Sequence, residues 1–270
     1  MKNVRTINSR DNPRIKRLKK LAGSARERRE EGLMLLDGVH LLEALLAVRI
    51  KPRELYVAES ALAQASGEIA ACLARPLLGA TPLYVLPDSL LRDVAPTETP
   101  TGLLAVAELP ALPEQTDPQA DAVLLDGVQD PGNLGTLIRT AAAAGFRQIV
   151  LSSGCADPWS PKALRAAQGG QFRATLFEGQ DLCAFLKGYR GTPMVTRLDG
   201  ATSLYAMADT PFQGPVAWVF GAEGRGVSPA VMAAVPTGVL IPLPGRVESL
   251  NVAAAAAVCL FDTLRRRGVK

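Results

Sequence analysis

Residues 241–261 read IPLPGRVESLNVAAAAAVCLF, and this stretch decides the fold that the sequence predicts. It begins as a short apolar strand and continues through a Gly-Arg loop into the polar residues Glu248, Ser249 and Asn251. It ends in an alanine-rich helix that is too apolar to face water on all sides. The polar side chains therefore stand where a strand gives way to a helix, which is where open α/β sheets bind ligands. We expect the upstream chain to supply the other parts of this site.

The chain before this loop alternates short apolar strands with helices. Strands are predicted at 122–128, 148–154, 172–178, 193–200, 215–221 and 238–243. Helices are predicted at 133–146, 160–170, 181–189, 228–235 and 251–267. This regular alternation is typical of a parallel sheet that is covered by helices on both faces.

The first part of the chain predicts a smaller α/β domain, because strand-like and helix-like runs alternate there over about 110 residues. The stretch around 110–121 is rich in proline and polar residues and has no helical or strand periodicity, so it is predicted to be a linker. The predicted domains are therefore 1–109 and 122–270, joined by 110–121.

Composition and charge narrow the classes of function. The net charge is +4, but residues 1–32 contain eleven Lys/Arg and four Asp/Glu, so the excess positive charge lies at the start of the chain. No apolar run suits a membrane span and no secretory signal is present, so we expect no membrane association and a cytoplasmic location. The four cysteines are far apart and no Cys/His cluster exists, so we expect no metal site.

An amphipathic helix with a cationic exterior is predicted after Asn12-Pro13, a pair that suits a helix start. Ile15, Leu18 and Leu21 repeat at helical spacing, and basic residues occupy the other faces. This helix is either a binding surface for a polyanion or a solvated helix face.

Two loops in the second half carry unusual side chains. After the strand at 122–128, Asn133 is placed to cap the next helix, and Arg139 lies within that helix among apolar neighbours. Arg139 therefore needs either a structural salt bridge or an anionic ligand. In the second loop, GAEGRG at 221–226, the three glycines allow a ligand to approach the backbone closely. Glu223 is either a surface residue or a group that contacts a ligand or orients an arginine.

The three motifs N133-L-G-T-L-I-R139, G221-A-E-G-R-G226 and I241-P-L-P-G-R-V-E-S-L-N251 together resemble the signature of the SpoU (TrmH-like) RNA 2′-O-methyltransferases of the SPOUT superfamily. The resemblance implies a parallel-sheet catalytic domain with a C-terminal trefoil knot, preceded by an L30e-like substrate-binding domain. It also implies a homodimer that uses S-adenosylmethionine.

The same resemblance assigns roles to individual residues. It places Arg139, Asn133, Glu223, Ser249 and Asn251 at the catalytic site, and the backbones of Gly221, Ile241 and Leu250 at the cofactor. The basic helix would bind RNA phosphates through Arg14, Lys16, Arg17, Lys19 and Arg28. We expect Arg139, which matches the family's essential arginine, to hold a substrate phosphate and stabilise the developing alkoxide, because a guanidinium does not readily act as a base. Glu223 is expected to orient that arginine or to accept the proton.

The expected substrate is structured RNA, with 23S-type ribosomal RNA ahead of transfer RNA. The main alternative is a non-catalytic RNA-binding or ribosome-assembly protein on the same scaffold. A nucleotide-dependent oxidoreductase is disfavoured, because GAEGRG fits neither the dinucleotide-binding nor the P-loop pattern.

Overall fold

A computed structural model describes residues 4–64, 67–97, 99–111, 115–245 and 247–269. Its strands are β1 (Val4–Thr6), β2 (Leu33–Asp37), β3 (Glu54–Ala58), β4 (Leu83–Leu86), β5 (Leu103–Glu108), β6 (Ala122–Asp126), β7 (Gln148–Leu151), β8 (Thr175–Phe177), β9 (Thr192–Thr196), β10 (Thr202–Ser203), β11 (Val216–Gly221) and β12 (Thr237–Leu240). Its α-helices are α1 (Pro13–Gly23), α2 (Ala25–Glu31), α3 (Val39–Ala47), α4 (Glu59–Ala63), α5 (Glu68–Leu73), α6 (Asp88–Val94), α7 (Pro131–Ala143), α8 (Pro161–Ala167), α9 (Leu182–Gly188), α10 (Pro229–Ala234) and α11 (Val252–Arg266).

The chain forms two compact units. The first takes the described residues up to Ala111 together with Asp157–Phe172, and the second takes the remaining described residues. Segment 157–172, which contains α8, therefore packs with the first unit although the sequence grouped it with the second half. The predicted boundaries at 109 and 122 stay a prediction, and residues 112–114 of the predicted linker lie outside the described residues.

The first unit is a five-stranded mixed sheet in the order β1-β4-β3-β5-β2. Strands β1, β4 and β3 are parallel, whereas β5 runs antiparallel to both β3 and β2. The small α/β domain expected here is confirmed. The sequence did not predict β1, and the single helix expected after β3 is replaced by the two short helices α4 and α5.

Helix α1 begins and packs as the sequence predicts. The side chain of Asn12 accepts a hydrogen bond from the amide of Arg14, and Pro13 occupies the first turn. Ile15, Leu18 and Leu21 are fully buried and belong to the core of the first unit. These apolar residues therefore set which face of α1 packs against the core. Only some of the basic side chains on its other faces point into solvent.

All three arginines predicted to bind RNA form ion pairs inside the first unit, and Arg14 pairs with Glu54 at 3.4 Å. The side chain of Arg28 is only 4% exposed, because its guanidinium pairs with Asp157 at 2.6 Å and donates to the carbonyl of Leu21 at 2.6 Å. Arg17 also pairs with Glu54. Burial acts to lower the pKa of the Arg17 guanidinium, but Glu54 and Tyr56 together outweigh it, so the pKa is raised. The expectation that Arg28 contacts RNA is wrong, because a buried, paired guanidinium cannot reach a phosphate.

The second unit is a seven-stranded sheet in the order β10-β12-β9-β11-β6-β7-β8. Every pairing between these strands is parallel, as the alternation predicted. Strand β11 is buried along its whole length, which suits the centre of a parallel sheet. The carboxyl ends of β6, β11 and β12 open on one edge. The three motif loops stand there: the first follows β6, the second follows β11 and the third follows β12. The expected trefoil knot stays a prediction.

The end of α11 is fastened to the second unit by two arginines. Arg266 is buried, stacks at 4.7 Å on the ring of Phe212, and donates to the carbonyl of Leu204 at 2.6 Å. Arg267 forms a two-bond pair with Asp121, at 2.5 and 2.9 Å. The planar, forked guanidinium of arginine holds such geometry well, so these contacts fix the helix that follows the third loop.

Within the described ranges, no helix is long and apolar enough to cross a membrane.

The Arg28–Asp157 pair yields a prediction about stability. Replacing Arg28 with alanine leaves Asp157, whose side chain is 11% exposed, without its partner. Removing one member of a buried pair typically costs about 3–5 kcal/mol. We expect a loss of that order in the free energy of unfolding, measured by chemical denaturation. The exposed Lys19 on α1 provides the control, since Lys19→Ala should change stability by less than about 0.5 kcal/mol. Equal stability of the two variants would contradict the structural role.

Candidate active site

The site is built where β6 and β11 end side by side. These two strands pair in parallel, and their register finishes with Gly221 opposite Asp126. The loops after the strands therefore start from neighbouring points of the same sheet edge. The third loop follows β12, which reaches the same sheet through β9.

The glycine-rich loop folds back onto the end of β11. Ala222 and Gly226 exchange two backbone hydrogen bonds, at 3.1 and 2.9 Å, which close the loop. A Cβ atom at Gly221 would lie 2.1 Å from the carbonyl carbon of Gly226. Only glycine fits at this position, because the returning backbone occupies the space of a side chain.

Asp126 holds this loop from the neighbouring strand, and the sequence reasoning did not single it out. Its carboxylate accepts a hydrogen bond at 2.8 Å from the amide of Ser228, the residue that precedes α10. The contact ties the outgoing end of the second loop to the end of β6. The sequence does contain a signal for Asp126, because this carboxylate stands at the end of a strand and immediately before Gly127.

Asp130, not Asn133, caps helix α7. The carboxylate of Asp130 accepts a hydrogen bond from the amide of Asn133 at 2.8 Å, and Pro131 occupies the first helical position. The capping role considered for Asn133 is therefore taken by a residue one turn earlier. This leaves the side-chain amide of Asn133 available for other contacts.

Asn133 joins the other two loops. Its Nδ2 donates to Oε1 of Glu223 at 2.6 Å, and its Oδ1 accepts from Nδ2 of Asn251 at 3.0 Å. Asn251 also caps α11, because its Oδ1 accepts from the amide of Ala253 at 2.9 Å. Three predicted site residues thus form one hydrogen-bonded row, in which Asn133 is 90 residues from Glu223 and 118 residues from Asn251 along the chain. We name the row Glu223–Asn133–Asn251 the polar relay.

The relay borders a cavity of about 680 Å³. Its lining includes six of the predicted site residues, namely Gly221, Glu223, Ile241, Ser249, Leu250 and Asn251. The volume lies in the usual range for small-molecule and cofactor pockets. The structure therefore brings the predicted cofactor-binding positions together around one space.

Arg197 also lines this cavity and was not predicted from the sequence. Its side chain lies over Gly238, where a Cβ atom would come within 2.0 Å of the Arg197 Nε. That Nε is buried without a hydrogen-bond partner, while the terminal nitrogen donates to the carbonyl of Gly200 at 3.2 Å. A cation with an unused donor beside a cavity is suited to an anionic group of a ligand.

Arg139 and Ser249 remain outside the relay. Both are exposed, and neither makes a hydrogen bond or ion pair with another residue that the structure describes. Arg139 lies six residues beyond Asn133, which places it about 9 Å further along α7 and on another side of the helix. Among the described residues, Glu223 contacts Asn133 and forms no ion pair with Arg139. Both roles considered for Glu223, to orient Arg139 or to accept the proton, stay predictions.

A parallel sheet with a glycine-rich loop and a polar relay at its carboxyl edge defines an α/β domain that binds a small ligand at that edge. Residues 121–261 match the SpoU rRNA Methylase family, and residues 12–105 match the MRM3-like substrate binding domain. The chain belongs to the SpoU rRNA methylase family. The first match contains the whole of the candidate site.

Several relatives and solved structures span nearly the full chain. The 23S rRNA (guanosine(2553)-2′-O)-methyltransferase RlmP of Bacillus subtilis is 31% identical over 96% of this chain and 98% of its own length. A solved RNA 2′-O ribose methyltransferase superposes with a TM-score of 0.80 at 29% identity, covering 97% of this chain and 99% of the other. The SpoU methyltransferase AviRb of Streptomyces viridochromogenes, solved in complex with the cofactor AdoMet, gives a TM-score of 0.80 at 25% identity, covering 95% and 98%.

The close approach at Gly221 yields a prediction about the second loop. In Gly221→Ala the new methyl group would overlap the backbone of Gly226, so the two hydrogen bonds that close the loop should break. We expect faster amide hydrogen exchange at Ala222 and Gly226 and a loss of about 1–3 kcal/mol in the free energy of unfolding.

Gly188→Ala is the matched control, because a Cβ atom at Gly188 meets nothing within 4 Å. This variant should leave exchange in the second loop unchanged. Unaltered exchange at Gly226 in Gly221→Ala would show that the loop does not depend on the absence of a side chain at residue 221.

Proposed function

We propose that the chain is an RNA ribose-2′-O-methyltransferase that uses S-adenosylmethionine and acts on 23S-type ribosomal RNA. The observation that carries this proposal is the polar relay, because it joins the three motif loops beside a single cavity. Membership of the SpoU family supports the reaction, and the ribosomal RNA substrate follows from the relative in Bacillus subtilis. Transfer RNA is the alternative substrate.

The cavity residues fit S-adenosylmethionine. The cavity combines an apolar lining, which includes Phe220, Leu243 and Leu250, with the polar side chains of Glu223, Ser249 and Asn251. The proposal assigns the cofactor to the backbones of Gly221, Ile241 and Leu250. The bound cofactor supplies an electrophilic methyl group on a sulfonium, and the protein supplies the position and charge around it.

The reaction forms a C–O bond to the ribose 2′-oxygen, breaks the S–C bond and releases the hydroxyl proton. Holding the hydroxyl in line with the sulfonium provides much of the acceleration. We assign that positioning to Ser249 and Asn251, which line the cavity, and to Asn133, which is hydrogen-bonded to Asn251. Glu223 contacts Asn133 and lines the cavity, and we assign it to accept the proton, directly or through water.

Arg139 is assigned to the substrate phosphate and the developing alkoxide. Its exposed guanidinium has no ion pair in the described part of the chain, so it is available for an RNA phosphate. The relay itself contains no cation, and a positive group is needed where negative charge develops. Arg139 meets that need once RNA or a second subunit brings it to the site.

A homodimer and a cytoplasmic location belong to the same proposal. On the outer side of α11, Ala254 is exposed and the side chain of Phe261 is 48% exposed, which leaves apolar surface for a second copy. The chain has a mass of 28.5 kDa, so sedimentation at about twice that mass supports the dimer and a monomer contradicts it.

The arginine assignment gives a direct test. We expect Arg139→Ala to lose methyl transfer to RNA by at least about a hundredfold, as removal of a charge-stabilising group typically does, while S-adenosylmethionine binding persists. Transfer is measured with labelled cofactor and binding by calorimetry. The control is Arg147→Ala, because Arg147 is an exposed arginine just before β7, at the opposite edge of the sheet. Comparable turnover in Arg139→Ala would remove Arg139 from the mechanism.

The cationic helix gives a second test. Lys16 and Lys19 are exposed, whereas Arg28 is buried, so the two lysines remain as candidates for phosphate contacts. Reversing both charges to glutamate should weaken RNA binding and reduce the slope of log affinity against log salt by about two. The measurement is fluorescence anisotropy over a salt series. An unchanged slope would mean that the helix is only a solvated surface.

A further inference from the structure

Arg197 is a cation in the wall of the candidate cofactor cavity that the proposed catalytic mechanism does not use. It directly follows β9, and its amide donates to the carbonyl of Val239 on β12 at 3.0 Å, so its backbone continues the strand pairing. Among the described residues that line the cavity, Arg197 and Arg225 are the cations, and Glu223 and Glu248 are the carboxylates. The cavity therefore has a cation on the side of β9 that no carboxylate of the described chain neutralises by an ion pair.

Gly238 gives the side chain of Arg197 its place. This buried glycine lies on β12 opposite Val195 of β9. A Cβ atom at Gly238 would lie 2.0 Å from the Nε and 2.6 Å from the Cζ of Arg197. The guanidinium therefore occupies space that the missing side chain leaves on the neighbouring strand. Its position follows from the sheet and not from a flexible loop.

The three nitrogens of this guanidinium are not equivalent. Nε is closed off without a hydrogen-bond partner, so it is not available to a ligand. Nη2 donates to the carbonyl of Gly200 at 3.2 Å. Nη1 makes no hydrogen bond with a described residue and is not among the atoms that are closed off from solvent. Nη1 is therefore the donor that remains for an anionic group in the cavity.

Arg197 stands apart from the polar relay across the sheet. In the strand order, β9 lies next to β11, and β11 lies next to β6, whose loop leads to Asn133. Neighbouring strands are about 4.8 Å apart, so the ends of β9 and β6 are separated by about 10 Å. In the proposed function the reacting ribose lies at the relay. Arg197 is therefore placed to contact a part of the cofactor away from the methyl group that is transferred.

The charges of the cofactor decide which part this is. S-adenosylmethionine has a single anionic group, the carboxylate of its methionine part, whereas its sulfonium and ammonium groups are positive. A carbon chain separates this carboxylate from the sulfonium, so the two can lie at different places in one cavity. A carboxylate that leaves water needs a cation or hydrogen-bond donors. RNA phosphates are better suited to exposed cations such as Arg139, because Arg197 is half-buried.

We propose that Arg197 binds the carboxylate of S-adenosylmethionine through Nη1, and that Gly238 positions the guanidinium for this contact. The inference rests on the proposed function, since it takes the cofactor to this cavity, and it adds the residue that recognises the amino-acid part. Arg225 is the rival cation, but it is exposed on the glycine-rich loop and its side chain makes no contact that holds it within the described chain. A guanidinium that is already held loses less freedom on binding.

The test compares S-adenosylmethionine with decarboxylated S-adenosylmethionine, which keeps the adenosine, sulfonium and ammonium groups. Calorimetry on the full chain without RNA measures the affinity for each compound. We expect the wild-type chain to prefer S-adenosylmethionine by at least about tenfold, as a hydrogen bond between charged groups typically provides. Arg197→Met keeps a long side chain over Gly238 but removes the charge, so this preference should disappear. The matched control is Arg190→Ala, which should keep the preference, because Arg190 is an exposed arginine just before the same strand.

Gly238→Ala tests the position of the guanidinium without removing its charge. The new methyl group would overlap the Nε of Arg197, so the guanidinium must move. We expect the preference for S-adenosylmethionine to fall, while the affinity for the decarboxylated compound holds. An equal loss of affinity for both compounds would mean that Gly238 only shapes the cavity, and would overturn its positioning role.

The outcomes separate this inference from the proposed function. Equal affinities of the two compounds for the wild-type chain, or a preference that persists in a folded Arg197→Met variant, overturn the carboxylate contact. If Arg197→Met fails to fold, judged by its circular dichroism, Gly238→Ala decides, and an undiminished preference in that variant overturns the proposal. A wild-type chain that binds neither compound overturns the proposed cofactor and this contact together, whereas one that binds both equally overturns only the role of Arg197.

Discussion

The parallel pairing of β6 with β11, which ends with Gly221 beside Asp126, is the constraint on which the candidate active site depends. Strand pairing brings two loops to one point of the sheet edge although about a hundred residues separate them. The close backbone approach at Gly221 and the bond from Ser228 to Asp126 then fix the second loop. The two exposed hydrogen bonds of the polar relay contribute only about 1 kcal/mol each. The sheet therefore positions the loops, and the relay sets the orientation of their side chains.

Much of this arrangement follows from local sequence signals. The alternation of apolar runs predicts the parallel sheet, Asn12-Pro13 predicts the start of α1, and Asn251 is both a predicted site residue and the observed cap of α11. The capping of α7 shows where local signals compete, because Asp130 and Asn133 are equally good caps. Pro131 at the first helical position would have decided in favour of Asp130, since proline is common there.

The errors of the sequence analysis arise where the partner is distant along the chain. Arg28 lies in a run of charged residues, a pattern that is typical of a solvated helix. Its partner Asp157, however, is 129 residues away along the chain. The same pair draws segment 157–172 into the first unit, which no periodicity indicates. Charge shows which residues need a partner but does not say whether that partner is a carboxylate of the same chain or an RNA phosphate. Burial distinguishes the two, and only the folded structure provides it.

In the proposed function, the first unit recognises RNA, and the relay and cavity of the second unit carry out transfer of the methyl group. The most direct test of this central claim is a transcriptome-wide map of ribose 2′-O-methylation in cells with and without the gene for this chain. The account predicts that one ribose in the large-subunit ribosomal RNA loses its methyl group on deletion and regains it when the gene is restored. Identical maps from the two strains would contradict the claim.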